Sequence, residues 1–219
     1  MSINKTIILV LLTVVLAIFF SYWAAPFLPE RVASHWVANG VANGFQSKDA
    51  FLWTMPVIMT VIALLLIFIP FIDPLKTSFQ PVRGAYYVFV LGFMLFMDYI
   101  HALSIFYNLG FAFNLFSMLM PAFAALIAGT GFLLDRVRPN WFVGVRTPWT
   151  LSSTSVWINT HKLGALLFKI AAIIILIGWF IPSLAIWFLL VPILGVSLFW
   201  VVYSYCLYRQ EQNSENRIQ

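Results

Sequence analysis

The sequence predicts an all-α integral membrane protein, a bundle of about six transmembrane helices with both termini in the cytoplasm. Three observations predict it. Hydrophobic residues make up 63% of the 219-residue chain and charged residues only 9%, where a soluble domain carries roughly 25% charge. The mean hydropathy is +0.97. Charge-free runs fall at 6–29, 50–72, 102–134 and 170–208, and a spanning helix needs about 20 apolar residues.

The first two runs hold one span each, at roughly 6–25 and 51–72. The third holds one whole span, 112–134, and the end of another that begins near Ala85, at 85–107. The run 170–208 is too long for one span; Ile181-Pro182-Ser183 is a natural place to turn, giving spans at 164–181 and 184–207. The connection 108–112 is short enough to be only a turn. Pro56, Pro70, Pro121 and Pro192 are expected to loosen the helices that carry them. The first segment resembles a signal peptide, but its apolar run exceeds the ~7–15 residues of such a core, and Pro26 follows Ala24-Ala25 where cleavage would fall. It is expected to be retained.

Numbering termini and loops alternately places Lys5, Lys76, Arg83, Arg136, Arg138, Arg146, Lys162, Arg209 and Arg217 on one side. Only Arg31 and Lys48 fall on the other. Lys169 sits one turn into the fifth span and can snorkel to the richer side. The positive-inside bias then puts both termini and loop 135–163 in the cytoplasm and loop 26–50 outside. The net charge of +5 is a topology signal and implies no nucleic-acid partner. The lone Cys206 permits no internal disulfide. The polar tail, Arg209 to Gln219, is expected to be disordered.

Function is therefore sought in two polar islands and in polar groups within the spans. In loop 26–50, Asn39-Gly40 and Asn43-Gly44 are expected to form tight turns. Arg31 to Trp36 is compatible with a short strand whose Val32, Ser34 and Trp36 face one way. Trp36 and Phe45 suit the headgroup layer, Ser47 an N-cap, and Asp49 the first helical turn. The segment reads either as a folded cap or as a recognition surface for something arriving from outside. His35 has no second His and no Cys near it, so no metal site is expected.

Loop 135–163 carries more chemistry. Pro139 and Pro148 are expected to stop helices, and Gly144 permits close backbone approach. Arg146 offers a planar fork for a carboxylate, a phosphate or several carbonyls. Ser152 or Ser153 can cap a helix carrying Trp157 and His161 on one face, ahead of Gly164. Trp141, Trp149 and Trp157 with Arg138, Arg146 and Lys162 also fit an interfacial belt beside anionic membrane lipids. An interfacial belt needs no Thr147-Pro148-Trp149-Thr150 turn and no fixed spacing of Arg, Trp and His. No carboxylate pair, Cys–His pair or metal-spaced cluster stands in the loop, so no enzyme, cofactor or metal is expected.

Within the third span, Asp98 lies near the bilayer centre with His101 one turn later. A charge there costs at least ~2.5–3.5 kcal/mol, so it is paired, inward-facing or hydrated. His101, Lys169 and Asn114 are the candidate partners. The pair is either a structural lock or a proton- or ion-sensitive site, which would make the chain a small proton-coupled transporter.

The pattern Asn140-x-x-x-Gly144-x-Arg146-Thr147-Pro148-Trp149-Thr-Leu-x-Ser-x-x-x-Val-Trp157-x-x-x-His161-x-x-Gly164 resembles the signature of the SdpI family of bacterial membrane immunity proteins. The pattern Leu28-Pro29-x-x-Val32-x-x-His35-Trp36-x-x-x-Gly40-x-x-Asn43-Gly44-Phe45-x-Ser47-Lys48 resembles the uncharacterised domain that precedes it in many members. Asn43 stands where an acidic residue is common, which puts a negative charge there in question. The resemblance implies a two-span unit over 1–84 and a four-span SdpI-like unit over 85–219, in a bacterial cytoplasmic membrane. It implies protection against a membrane-active peptide toxin, and signalling through a cytoplasmic repressor held at the inner face. The residues it singles out are Asn140, Gly144, Arg146, Thr147, Pro148, Trp149, Trp157 and His161 inside, and His35, Trp36, Asn43, Gly44 and Lys48 outside.

Overall fold

Six long helices run up and down, with a hairpin at one end of the bundle and the 135–153 loop at the other. The structure, a computed structural model, describes residues 3–75, 77 and 80–218; Lys76, counted above with the basic side, lies outside them. The elements are α1 (Ile3–Ala24), β1 (Arg31–Trp36), β2 (Ala42–Ser47), α2 (Lys48–Ile72), α3 (Arg83–Asn108), α4 (Leu115–Leu134), the short α5 (Pro148–Ser152), α6 (Thr154–Ile177) and α7 (Ala185–Ile218). Six helices are long and apolar enough to cross a membrane, as the charge-free runs require. The protein is therefore a multi-pass membrane protein, with a small antiparallel hairpin connecting α1 to α2.

The helices are apolar on both faces, so the inward face is marked by small and weakly polar residues. On α1, Thr6, Val10, Thr13, Val14, Ala17, Ser21 and Ala24 are buried at helical spacing, while Ile8, Leu12, Val15 and Phe19 are exposed. The buried side meets Met59, Ala63 and Ile67 of α2 and Tyr86, Tyr87, Val90 and Met94 of α3 in one core. Separate clusters join α4, α6 and α7, around Trp157, Phe168 and Trp200 and around Met120, Ile175 and Leu189. The core packing thus groups α3 with α1 and α2.

The prolines do not break their helices. Pro70 has no N–H to give to the Leu66 carbonyl four residues back, and an unmet carbonyl in hydrocarbon is costly. Tyr86 Oη–H donates to that carbonyl at 2.7 Å, so the defect is covered from α3. Pro148 opens a helix, contrary to expectation. It occupies the first turn of α5, where no N–H is needed, behind the N-cap Thr147.

Three boundaries also differ from expectation. The fourth span begins at Leu115, because Gly110 (φ 90°) and an extended segment precede the N-cap Asn114. The fifth span is continuous with the Trp157–His161 helix, capped by Ser153. The polar tail is helical to Ile218: Arg, Gln and Glu are good helix formers, and a helix already nucleated in the span extends without a nucleation cost.

Candidate functional site

The loop that leads from α4 to α6 is organised by side chains that replace regular secondary structure. Asn140 is 1% exposed. Its Nδ2 donates to the carbonyls of Arg138 and Val143, both at 2.8 Å, and its Oδ1 accepts from Phe142 and Val143 N–H. One buried amide so closes the turn 138–143. Gly144 follows at φ 117°, and a Cβ there would collide with Nε2 of His161. A side chain is excluded both by backbone conformation and by space.

His161 is the centre of the arrangement. Its Nε2 accepts from Val145 N–H at 2.9 Å, so that nitrogen carries no proton. Its Nδ1–H then donates to the Trp157 carbonyl at 2.8 Å. The ring is a neutral imidazole with both nitrogens occupied. It stacks on the Trp157 indole at 4.1 Å between centroids and 20° between planes. Trp157 is fully buried and its Nε1–H donates to the Val137 carbonyl at 3.2 Å. The sequence placed Trp157 and His161 on one face of a helix; that face is buried, and both side chains fasten the loop to α6.

Thr147 caps α5 by accepting from Thr150 N–H, and Thr150 Oγ1–H donates back to the Val145 carbonyl. Thr147 Oγ1 also lies 3.1 Å from Ser204 Oγ of α7, a hydroxyl–hydroxyl hydrogen bond that ties α5 to the last span. Trp149 meets Tyr205 edge-on at 5.1 Å. Arg146 is exposed and donates through Nη1 to the Trp141 carbonyl; of its expected targets it takes a backbone carbonyl. Arg146 and the half-exposed Trp141 form the outward side of the loop. Gly164 makes room for the Trp200 indole, which any Cβ would overlap.

Two partners of the loop, one on α2 and one on α7, were not anticipated from the sequence. Asp73, the C-cap of α2, is 1% exposed. Its Oδ1 accepts from Leu75 N–H at 2.7 Å and its Oδ2 from Trp141 N–H at 3.1 Å. It hitches the loop to the second span. An acid beside Pro74, on a side otherwise rich in Lys and Arg, was the available signal. Ser204 of the last span, fully buried and flanked in the chain by Tyr203 and Tyr205, offered no signal but its polarity.

At the opposite end, β1 and β2 pair antiparallel, with irregular register on both sides of His35. Val32 is buried in the core and Ala33 against Asn108 while Ser34 is exposed, so the expected alternation fails. Asn39-Gly40 makes the turn, with Gly40 at φ 83°. Asn43-Gly44 does not; it lies inside β2, where Gly44 leaves room for the His35 side chain, whose Cβ would be 2.8 Å from any Cβ at 44. His35 Nδ1–H donates to Asn43 Oδ1 at 2.5 Å, so position 43 supplies an acceptor, for which an amide oxygen suffices. Lys48 pairs with Glu30 at 2.7 Å across the hairpin base. Trp36 packs edge-on against Tyr107 at 5.4 Å, and Phe45 is exposed as expected for the headgroup layer.

The hairpin is docked by two asparagines that the sequence did not single out for this. Asn108 Oδ1 accepts from Ala33 N–H at 2.7 Å and its Nδ2 donates to Ala33 O at 3.0 Å, like a third strand. Asn114 Nδ2 donates to the Asn39 carbonyl at 2.9 Å.

The intramembrane pair is not assembled as expected. His101 bonds Ser21 Oγ of α1 at 2.8 Å, Lys169 pairs with Asp135 at 3.5 Å, and Asn114 is committed to the hairpin. Each candidate partner of Asp98 is thus engaged elsewhere, and Asp98 Oδ2 is buried without a hydrogen bond. Asp98 and His101 line a crevice of about 350 Å³ between α1 and α3. Among the described residues no three His, Cys, Asp or Glu side chains gather closely enough to hold a metal ion.

Comparison with known families fits this geometry. Residues 136–205, the loop with α6 and most of α7, match the SdpI/YfhL protein family. Residues 12–60, most of α1 with the hairpin and the start of α2, match a domain of unknown function, DUF1648. No curated protein matches the chain, and no solved structure does.

Proposed function

We propose, from the premise that the chain is SdpI-like, that it is a membrane immunity protein shielding a bacterium from a membrane-active peptide toxin. The observation that carries this reading is the pinned loop 138–153. Asp73 of α2, Ser204 of α7 and the Trp157–His161 stack of α6 hold it from three helices, leaving Arg146 and Trp141 as a fixed outward surface. A rigid surface bearing Arg and Trp at the end of a bundle is suited to recognition. The toxin is received at the hairpin end or within the bundle.

Orientation follows from charge. Arg83, Arg136, Arg138, Arg146 and Lys162 gather at the loop end, which the positive-inside bias assigns to the cytoplasm of a bacterial inner membrane. A route between the two ends supports signalling to a cytoplasmic repressor. Helix α2 begins at the hairpin's Ser47 cap and ends at Asp73, which holds Trp141. Its 25 residues span about 37 Å. A displacement of the hairpin would reach the loop through one continuous helix.

The test is expression in a toxin-sensitive bacterium challenged with candidate peptides. Deletion restores sensitivity, and Arg146→Ala abolishes protection while the amount of protein in the membrane stays constant. Full protection by Arg146→Ala would sink the reading. One observation favours a second reading, a proton-coupled transporter: the unpartnered Asp98 oxygen beside His101. It predicts proton flux in proteoliposomes that Asp98→Asn removes, and a flux-free preparation rejects it.

A further inference from the structure

Between α3 and α4 the bundle is open to the membrane. A furrow of about 820 Å³ runs along them, walled by small residues such as Gly92, Ala122, Ala125 and Gly129. A Cβ at Gly92 would meet nothing within 4 Å, so the space is real at mid-helix. The furrow ends at Arg136. Arg136 also lines a second crevice of about 450 Å³ at the loop end of the bundle, together with Arg138 and Lys162. Asp135 lines it too, but its carboxylate is paired with Lys169 at 3.5 Å. Among the described residues no carboxylate lies within salt-bridge distance of Arg136, Arg138 or Lys162. Arg136 gives one N–H to the Phe132 carbonyl at 2.8 Å, and a guanidinium has five.

We propose that furrow and crevice form one binding site for an anionic phospholipid. An acyl chain lies between α3 and α4, and the phosphate sits among Arg136, Arg138 and Lys162. Charge complementarity selects the occupant. A free phosphate would answer the cations and leave the furrow empty, and an apolar peptide helix would fill the furrow and leave three cations unanswered. An anionic amphiphile answers both, and basic pockets between spans are suited to such headgroups. The site depends on the chain spanning a membrane and is independent of the immunity reading.

The experiment uses the full chain purified in neutral detergent. It is incubated with phosphatidylglycerol or phosphatidylcholine of identical chains, and retained lipid is counted by native mass spectrometry. The wild type is expected to retain phosphatidylglycerol about fivefold or more over phosphatidylcholine, and Arg136→Gln to weaken that retention by about fivefold. Gly92→Leu fills the furrow, and retention of phosphatidylglycerol is lost while the protein remains monodisperse. If Arg136→Gln fails to fold, Gly92→Leu decides. Equal retention of the two lipids overturns the proposal, as does retention that Gly92→Leu leaves unchanged. Displacement of the lipid by millimolar inorganic phosphate would reduce the site to a phosphate site. Loss of toxin-peptide binding in Gly92→Leu with lipid retention intact would assign the furrow to a peptide; either result overturns the lipid site.

Discussion

At His161 the ring has no proton to exchange without breaking a contact. Protonating Nε2 would set a donor against the Val145 N–H that now donates to it. The residue therefore works as a two-ended splice between backbone segments, and Gly144 is the residue that lets the backbone reach it. Gly144→Ala is expected to destabilise the protein by about 2 kcal/mol or more, since it combines a strained φ with a collision against the imidazole. Gly92→Ala, where a Cβ meets nothing, is expected to be neutral or stabilising by up to about 1 kcal/mol. Thermal unfolding in detergent compares the two, and equal shifts would refute the splice. The spacing of Gly144, Trp157 and His161 was legible in the chain. That the pair is buried was not, because a Trp and a His near a span end satisfy an interfacial belt equally well.

The loop has no regular structure of its own between Leu134 and Pro148, so its position comes from its attachments to helices. Asp73 is the attachment to α2. Asp73→Ala leaves the Trp141 and Leu75 N–H groups without their acceptor, at about 0.5–1.5 kcal/mol per part-buried bond. The expected outcome is faster hydrogen exchange at 139–146 and weakened protection, with α2 itself still helical. Unchanged exchange would detach α2 from the route proposed here. The same logic governs the hairpin, which a two-stranded ribbon could not maintain alone. Asn108 and Asn114 supply its missing edge. Helix positions were readable from hydropathy, and the Ser47 and Ser153 caps from residue type. The roles of Asp73, Asn108 and Asn114 were not, since each partner is 68 or 75 residues distant in the chain.

Across the whole molecule the charges separate by end: Arg31 and Lys48 lie at the hairpin, and Arg83, Arg136, Arg138, Arg146 and Lys162 at the loop. The separation makes a direct test possible. With Cys206 changed to Ser, a cysteine at Val41 is expected to react with an impermeant maleimide in intact cells. One at Leu151 is expected to react only after permeabilisation. The reverse pattern would turn the loop outward and remove any cytoplasmic partner. Both positions are exposed in the fold, so a lack of labelling at one of them reports its side of the membrane.

The number of spans, their approximate limits, the two polar islands and the family resemblance were determined by the sequence alone. Hydrocarbon length and charge placement answer to the bilayer, and the bilayer is the same for every chain. Which face of each helix turns inward, which polar groups are buried, and whom they bind were decided by the tertiary structure. In lipid both faces of a span are apolar, so hydropathy carries no inward signal. The buried Thr, Ser, Asn and Asp side chains acquire their meaning only from partners that folding brings to them.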